Sequence, residues 1–211
     1  MKHFFVLIKR KIRSFFGYTG GYSKDNKQTY FEIPELGIRG RRPGTDLVTR
    51  LQGMDFLLGR AKGYSVLDAG CAEGLIAREF YRHGAVCVHG LDLQDVSVTT
   101  AQKLFLQEPN GAYYFGQADL LKWDETVTTN THLLPSYDIV LLLSVYGHIV
   151  RKDRNAADSA LAALASMTRR FFAVRSTAVI PENLILEKGF DIVYRDPAPD
   201  ANELIVFGRT H

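Results

Sequence analysis

Residues 64–75 constrain the fold more than any other stretch of the chain. The apolar run Tyr64-Ser65-Val66-Leu67 ends in Asp68, and Ala69-Gly70-Cys71-Ala72-Glu73-Gly74 leads into a helical pattern that opens at Leu75. This reads as a strand, a glycine-bearing turn and a helix. In such a turn bare backbone can approach a ligand, and the first amides of the helix point at it. The pattern then repeats. Helical periodicity covers 75–81, 98–106 and 156–167, with a short helix at 181–188. Strand patterns cover 85–91, 112–116, 138–143 and 171–175. The run 138–143 is continuously apolar, as a strand buried on both faces should be. Residues 124–135 read as a polar loop, and 190–194 with 203–207 as a terminal hairpin around Pro197-Ala198-Pro199-Asp200. Upstream, Thr45 or Asp46 is placed to cap a helix through Leu47, Leu51, Met54 and Leu57-Leu58. Strands alternating with helices predict a doubly wound α/β sheet.

The acids of the turn restrict the ligand. Gly70 and Gly74 are spaced G-x-x-x-G, unlike the G-x-G-x-x-G of dinucleotide binders, and Asp68 and Glu73 would repel a pyrophosphate. A ligand with ammonium and sulfonium groups would welcome both acids, which points to S-adenosylmethionine. Asp92 follows Asp68 by 24 positions, about one strand-helix-strand unit. Acids ending successive strands line the carboxyl edge of a parallel sheet, where an ionised carboxylate suits the two donors of a vicinal diol. The competing reading makes Asp92 and Asp119 helix caps or turn residues.

Residues 66–74 resemble the first motif of the class I S-adenosylmethionine-dependent methyltransferases. His89-Gly90-Leu91-Asp92-Leu93 resembles the second strand of that family, Gly116-Gln117-Ala118-Asp119-Leu120 the third, and residues 137–145 the fourth. The resemblance spans roughly residues 45–208. It implies a mostly parallel, seven-stranded Rossmann-like sheet with the last strand antiparallel. It also implies a cofactor site from Asp68, Ala69, Gly70, Cys71 and Gly74 in the first loop. Asp92 and Leu93 would serve the ribose, Ala118, Asp119 and Leu120 the adenine, and Ser144 and Val145 would close the site. In the family an N-terminal segment commonly folds over cofactor and substrate. An arginine of 28–44, with Arg39, Arg41 and Arg42 available, could pair with the methionine carboxylate or contact the substrate. Arg39 stands as the candidate.

Chemistry is expected just beyond the fourth strand, at Ser144-Val145-Tyr146-Gly147-His148-Ile149. Methyl transfer is an in-line displacement in which the enzyme mainly positions the acceptor. A hydroxyl acceptor must also lose a proton, and His148 has a suitable ordinary pKa. The sequence around it looks like family members that methylate small molecules or sugars. Against this, His148 could cap or pack the next helix. Tyr146 could shape the acceptor pocket or cover the adenine. No Asn/Asp-Pro-Pro-aromatic motif follows the strand, which disfavours amino methylation of bases or glutamine. No cluster of acids there suggests a catechol-type magnesium site. The favoured reading is metal-free O-methylation of a small-molecule or glycan hydroxyl. An RNA methyltransferase and a non-catalytic S-adenosylmethionine-binding regulator are the alternatives.

Composition supports one soluble domain: 211 residues, 46% hydrophobic and 23% charged. Cys71 and Cys87 are too far apart for a C-x-x-C site and suggest a reducing compartment. Charge is uneven. Residues 1–27 hold seven bases against one acid, so this arm carries +6 of a chain whose total is +3. Its apolar opening is too short to span a membrane. The arm reads as a basic amphipathic helix, followed by the break Gly17-Tyr18-Thr19-Gly20-Gly21-Tyr22-Ser23. It could lie on an anionic membrane surface, grip RNA, or pack on the domain or on a second copy. The expected division is therefore a basic arm, 1–27, and a methyltransferase domain, 28–211. The expected location is cytoplasmic, with peripheral membrane contact through the arm.

Overall fold

The computed structural model describes residues 29–41, 46–109, 111–196 and 203–209. The basic arm, Arg42, the side chain of Asp46 and the hairpin turn at 197–202 lie outside them. Two short helices, α1 (Asp46–Leu51) and α2 (Asp55–Leu58), precede the sheet. There follow β1 (Ser65–Ala69), α3 (Leu75–Arg82), β2 (Cys87–Asp92), α4 (Asp95–Phe105), β3 (Ala112–Gln117) and α5 (Trp123–Thr129). The second half comprises β4 (Tyr137–Leu143), α6 (Tyr146–Val150), α7 (Arg154–Ser166), β5 (Thr168–Arg175), α8 (Asn183–Leu186), β6 (Phe190–Asp196) and β7 (Leu204–Arg209).

The seven strands are ordered β3-β2-β1-β4-β5-β7-β6. The first five pair in parallel, whereas β7 runs antiparallel to both β5 and β6. The order reverses between β1 and β4, so the crevice for a ligand lies beyond the carboxyl ends of those two strands. Register holds the site residues level. Asp68 pairs with Gly90 and with Leu141, which sets the ends of three strands side by side.

Every residue of β1 is buried, because helices cover both faces of the sheet. On one face Leu67, Leu91, Val140, Phe172 and Phe207 pack with Ala160, Leu161 and Leu164 of α7. On the other, Val66, Val88, Ile139 and Val206 meet Phe80 of α3 and Phe105 of α4. Each fully buried large side chain of this kind contributes roughly 1.5–3 kcal/mol of transfer free energy. Asp153 starts α7 by accepting from the Ala156 amide at 3.0 Å, satisfying one donor left over at the helix terminus.

Two expectations change. The helix expected through 47–58 is broken into α1 and α2 at Gly53, whose φ is +75°. A Cβ there would come within 2.7 Å of the Asp196 carboxylate, so the break also serves close packing. Part of the loop expected at 124–135 is helical, as α5. Buried Trp123 and Thr126 anchor it, and Asp124 and Glu125 complement the positive end of its dipole. The Thr128 and Thr129 hydroxyls bond back to the carbonyls of Asp124 and Glu125, so these polar groups are satisfied within the helix. Among the described residues, no helix is long and apolar enough to cross a membrane.

Candidate active site

A cavity of about 360 Å³ opens at the carboxyl edge of the sheet. Its floor is the loop after β1. The amides of Gly70 and Cys71 both donate to the Leu91 carbonyl, at 2.7 and 2.9 Å, and pin the loop to the end of β2. Gly70 has φ +91°, and a Cβ on it would lie 2.2 Å from Val145 Cγ2. No side chain fits between the first loop and the one after β4. Ala72 and Ser144, neither a glycine, also adopt positive φ, of 48° and 62°. Such backbone costs free energy and collects at functional sites.

The two strand-end acids face this cavity. Asp92 accepts from the Ala72 amide and from the Gln94 amide, both at 2.9 Å. Burial raises its pKa, with those backbone bonds opposing the rise. Asp68 is only 2% exposed, and among the described residues its Oδ2 has no hydrogen-bond partner. Burial, reinforced by repulsion from Asp92, pushes its pKa up to about 7. An unpartnered carboxylate oxygen at the wall of a cavity suits a cationic donor, since a buried anion needs a paired charge or bond. The donor set therefore fits S-adenosylmethionine: Asp68 toward an ammonium group and Asp92 toward a diol.

The third acid of the loop does something else. Glu73 is fully buried and accepts from the backbone amides of Tyr30 and Phe31 and, at 2.9 Å, from Ser97 Oγ. Its charge holds residues 29–41 over the cavity rather than meeting a ligand. Tyr30 and Phe31 thereby become cavity walls. That correction comes from a segment 42 residues away, with nothing local to signal it.

Arginines line the rest of the cavity. Arg50, at the end of α1, donates to Ser144 Oγ at 2.9 Å and to the Tyr30 hydroxyl at 2.6 Å. Buried Arg175, at the end of β5, donates to the carbonyls of Arg50 and Gln52. It thereby fixes the end of α1 beside the site. Arg41 lies 5.5 Å from the centre of the Tyr30 ring. Arg39, the arginine chosen from sequence, is exposed and does not line the cavity; Arg41 and Arg50 do.

His148 lines the cavity and is half-buried. Its Nδ1 lies 2.7 Å from Arg151 Nη2. Burial lowers its pKa, and the positive charges of Arg151 and Arg50 lower it further. Tyr146 departs from its expected role. It is fully buried, turned into the core, and its hydroxyl donates to Asp158 of α7. It braces α6 against α7 and does not meet an acceptor.

The remaining expected contacts divide. Gly70, Cys71, Leu93, Leu120, Ser144 and Val145 line the cavity with the two acids. Ala69 ends β1 inside the core, and Gly74, with φ +75°, turns the chain into α3. Asp119 Oδ1 caps the turn at Leu120–Lys122 by accepting from the Leu121 amide at 3.1 Å. With Ala118 it faces an adjoining polar cavity of about 580 Å³, which shares Leu93 with the first. Cys71 is buried at the cavity wall, and burial, with the nearby carboxylates of Asp92, Asp68 and Glu73, raises its thiol pKa well above the ordinary value.

Residues 66–169 match the methyltransferase domain family. No curated protein matches the chain in sequence. Among solved structures, the magnesium protoporphyrin IX methyltransferase of Synechocystis PCC 6803 with bound S-adenosylmethionine is 19% identical. The match covers 96% of this chain and 97% of that one, with a TM-score of 0.61. The bifunctional kinase-methyltransferase WbdD is 20% identical over 88% of this chain and 44% of its own, at a TM-score of 0.61. An S-adenosylmethionine-dependent methyltransferase from Mesorhizobium loti is 16% identical over 75% of this chain and 96% of its own, at 0.53. At these identities the likeness establishes the fold. With the domain match from β1 to the start of β5 and the acid-lined loop, residues 66–169 are a methyltransferase domain in the Rossmann-like fold of the class I S-adenosylmethionine-dependent methyltransferases.

Proposed function

We propose that this enzyme methylates an oxygen of a small molecule or glycan, without a metal ion, with His148 as the proton acceptor. One observation carries the reading: a single cavity presents Asp68 and Asp92 at the strand ends and His148 on α6, just after β4. When bound, S-adenosylmethionine supplies an electrophilic methyl group on a sulfonium. Asp68 would hold its ammonium, Arg50 its carboxylate, and Asp92 its ribose diol. His148 would take the proton of the acceptor hydroxyl. A divalent cation would meet Arg41, Arg50 and Arg151 at the same wall, and like charge opposes its binding.

Titration calorimetry with S-adenosylmethionine tests the cofactor half. Asp92→Ala should weaken binding by more than about tenfold, as for a charged hydrogen bond of roughly 1.5–3 kcal/mol. For the acceptor half, labelled methyl transfer to a panel of hydroxylated acceptors should fall about 10²–10⁴-fold in His148→Ala. The cofactor Kd should not change. Full activity in His148→Ala would remove the general base from the proposal.

We also propose that residues 1–27 bring the enzyme to an anionic surface, on the support of their +6 charge. Flotation with anionic liposomes that is lost on deleting the arm would support a membrane. Salt-sensitive retention on RNA, lost in the same way, would instead favour a nucleic acid.

A further inference from the structure

The cavity wall holds more positive charge than the cofactor can use. Arg41, Arg50, Arg151 and Arg175 line it, against the carboxylates of Asp68 and Asp92. Among the described residues, none of these four arginines forms a salt bridge. Arg175 is committed to two backbone carbonyls, and Arg50 faces the cofactor carboxylate in the reading above. Bound S-adenosylmethionine, with two positive groups and one carboxylate, adds net positive charge. Arg41 and Arg151 are then left on the cavity wall, both exposed to solvent, Arg151 beside His148 and Arg41 beside Tyr30.

Arg151 has a second property. A guanidinium has no acceptor atom, so in its 2.7 Å contact with His148 the arginine donates and Nδ1 accepts. That bond occupies the lone pair a general base would use. Arg151 also heads the charges that depress the basicity of His148, with Arg50 of α1 acting in the same sense. As it stands, the base is latched.

We propose that the acceptor carries a carboxylate or phosphate beside its reacting hydroxyl, and that Arg151, aided by Arg41, binds this anion and so releases His148 Nδ1. This rests on the O-methyltransferase reading and specifies its substrate class. Arg151 swings from imidazole to anion, exchanging a neutral acceptor for a charged one, which makes the stronger hydrogen bond. The acceptor hydroxyl then gives its proton to Nδ1 while its oxygen takes the methyl group. The pair of the broken carbon–sulfur bond returns to sulfur as a neutral thioether. Neutral molecules with the same hydroxyl leave the latch closed and are poor substrates.

The test uses the full chain saturated with S-adenosylhomocysteine and titrated separately with inorganic phosphate and with acetate. The His148 ring is followed by NMR and assigned against His148→Gln. The expected result is saturable binding of at least one anion, with the pKa of His148 rising as the site fills. Saturation by phosphate alone assigns a phosphate ester, and by acetate alone a carboxylate. Arg151→Gln should weaken the anion by about tenfold or more, and should raise the pKa of His148 even without it. Arg41→Gln should weaken the anion while leaving the anion-free pKa of His148 in place. If S-adenosylhomocysteine binds but neither anion saturates or moves His148, the proposal is overturned and the methyltransferase reading stands. If S-adenosylhomocysteine itself fails to bind the folded chain, both fall.

Discussion

Asp68 shows what one buried carboxyl does to the whole molecule. Its folded-state pKa is about 7, against an ordinary value of 3.8. Between these values the folded chain keeps a proton that the unfolded chain has lost. Stability therefore falls as pH rises through this window, and stays reduced above it. Asp68→Asn removes the penalty. It should stabilise the cofactor-free protein at pH 8 by about 1–3 kcal/mol in urea unfolding, with little gain at pH 4. The same variant should lose about tenfold or more in cofactor affinity, because an amide cannot pair with an ammonium. Asp68 and Asp92 were legible because strand ends converge on the carboxyl edge. Arg50 was not. It lies on a short helix outside the motif, and nothing in the spacing of Arg39, Arg41 and Arg50 says which guanidinium turns inward.

At the scale of elements, the segment 29–41 is a cover held by the Glu73 carboxylate, by an ion pair of Glu35 with Arg78 at 2.7 Å and by the bond from Arg50 to the Tyr30 hydroxyl. Both oxygens of Glu73 receive its amides, and Ile33 pairs with Ile38 to close its own small turn. Phe31 and Ile33 pack on Leu75 and Leu104, giving the cover a separate apolar cluster. Glu73→Ala would leave two amides without their acceptor, so their exchange with solvent deuterium should accelerate by more than about tenfold. Cofactor affinity should fall with it while the melting temperature changes little. Unaltered exchange at Tyr30 and Phe31 would mean that the apolar cluster and the bonds from Arg78 and Arg50 hold the cover without Glu73. Sequence reading misses such an attachment because Glu73 sits near acids that do face the cavity. It misses α5 for a related reason. Threonines score as loop residues until their hydroxyls are seen bonding within the helix.

Over the whole molecule, stability and site share one sheet. Phe207 of β7 is fully buried in the cluster that also holds Leu67 of β1 and Val140 of β4, three strands along the sheet from the one that carries Asp68. Phe207→Ala should cost about 3–5 kcal/mol in urea unfolding, as for other large core aromatics. A cost below about 1 kcal/mol would show that the antiparallel pair β6 and β7 is an appendage rather than part of the cooperative unit.

The sequence by itself determined the alternating α/β plan, the terminal hairpin and the acids that end β1 and β2. Each follows from periodicity, glycine placement and chain order, which act over a few residues. The tertiary structure decided which acids face the cavity and which one ties down the cover. It decided that Tyr146 braces helices, and that Arg50, Arg151 and Arg175 join His148 at one wall. Those contacts join residues as far as 125 positions apart. Their selection depends on packing and charge balance in the folded cavity, which no local pattern encodes.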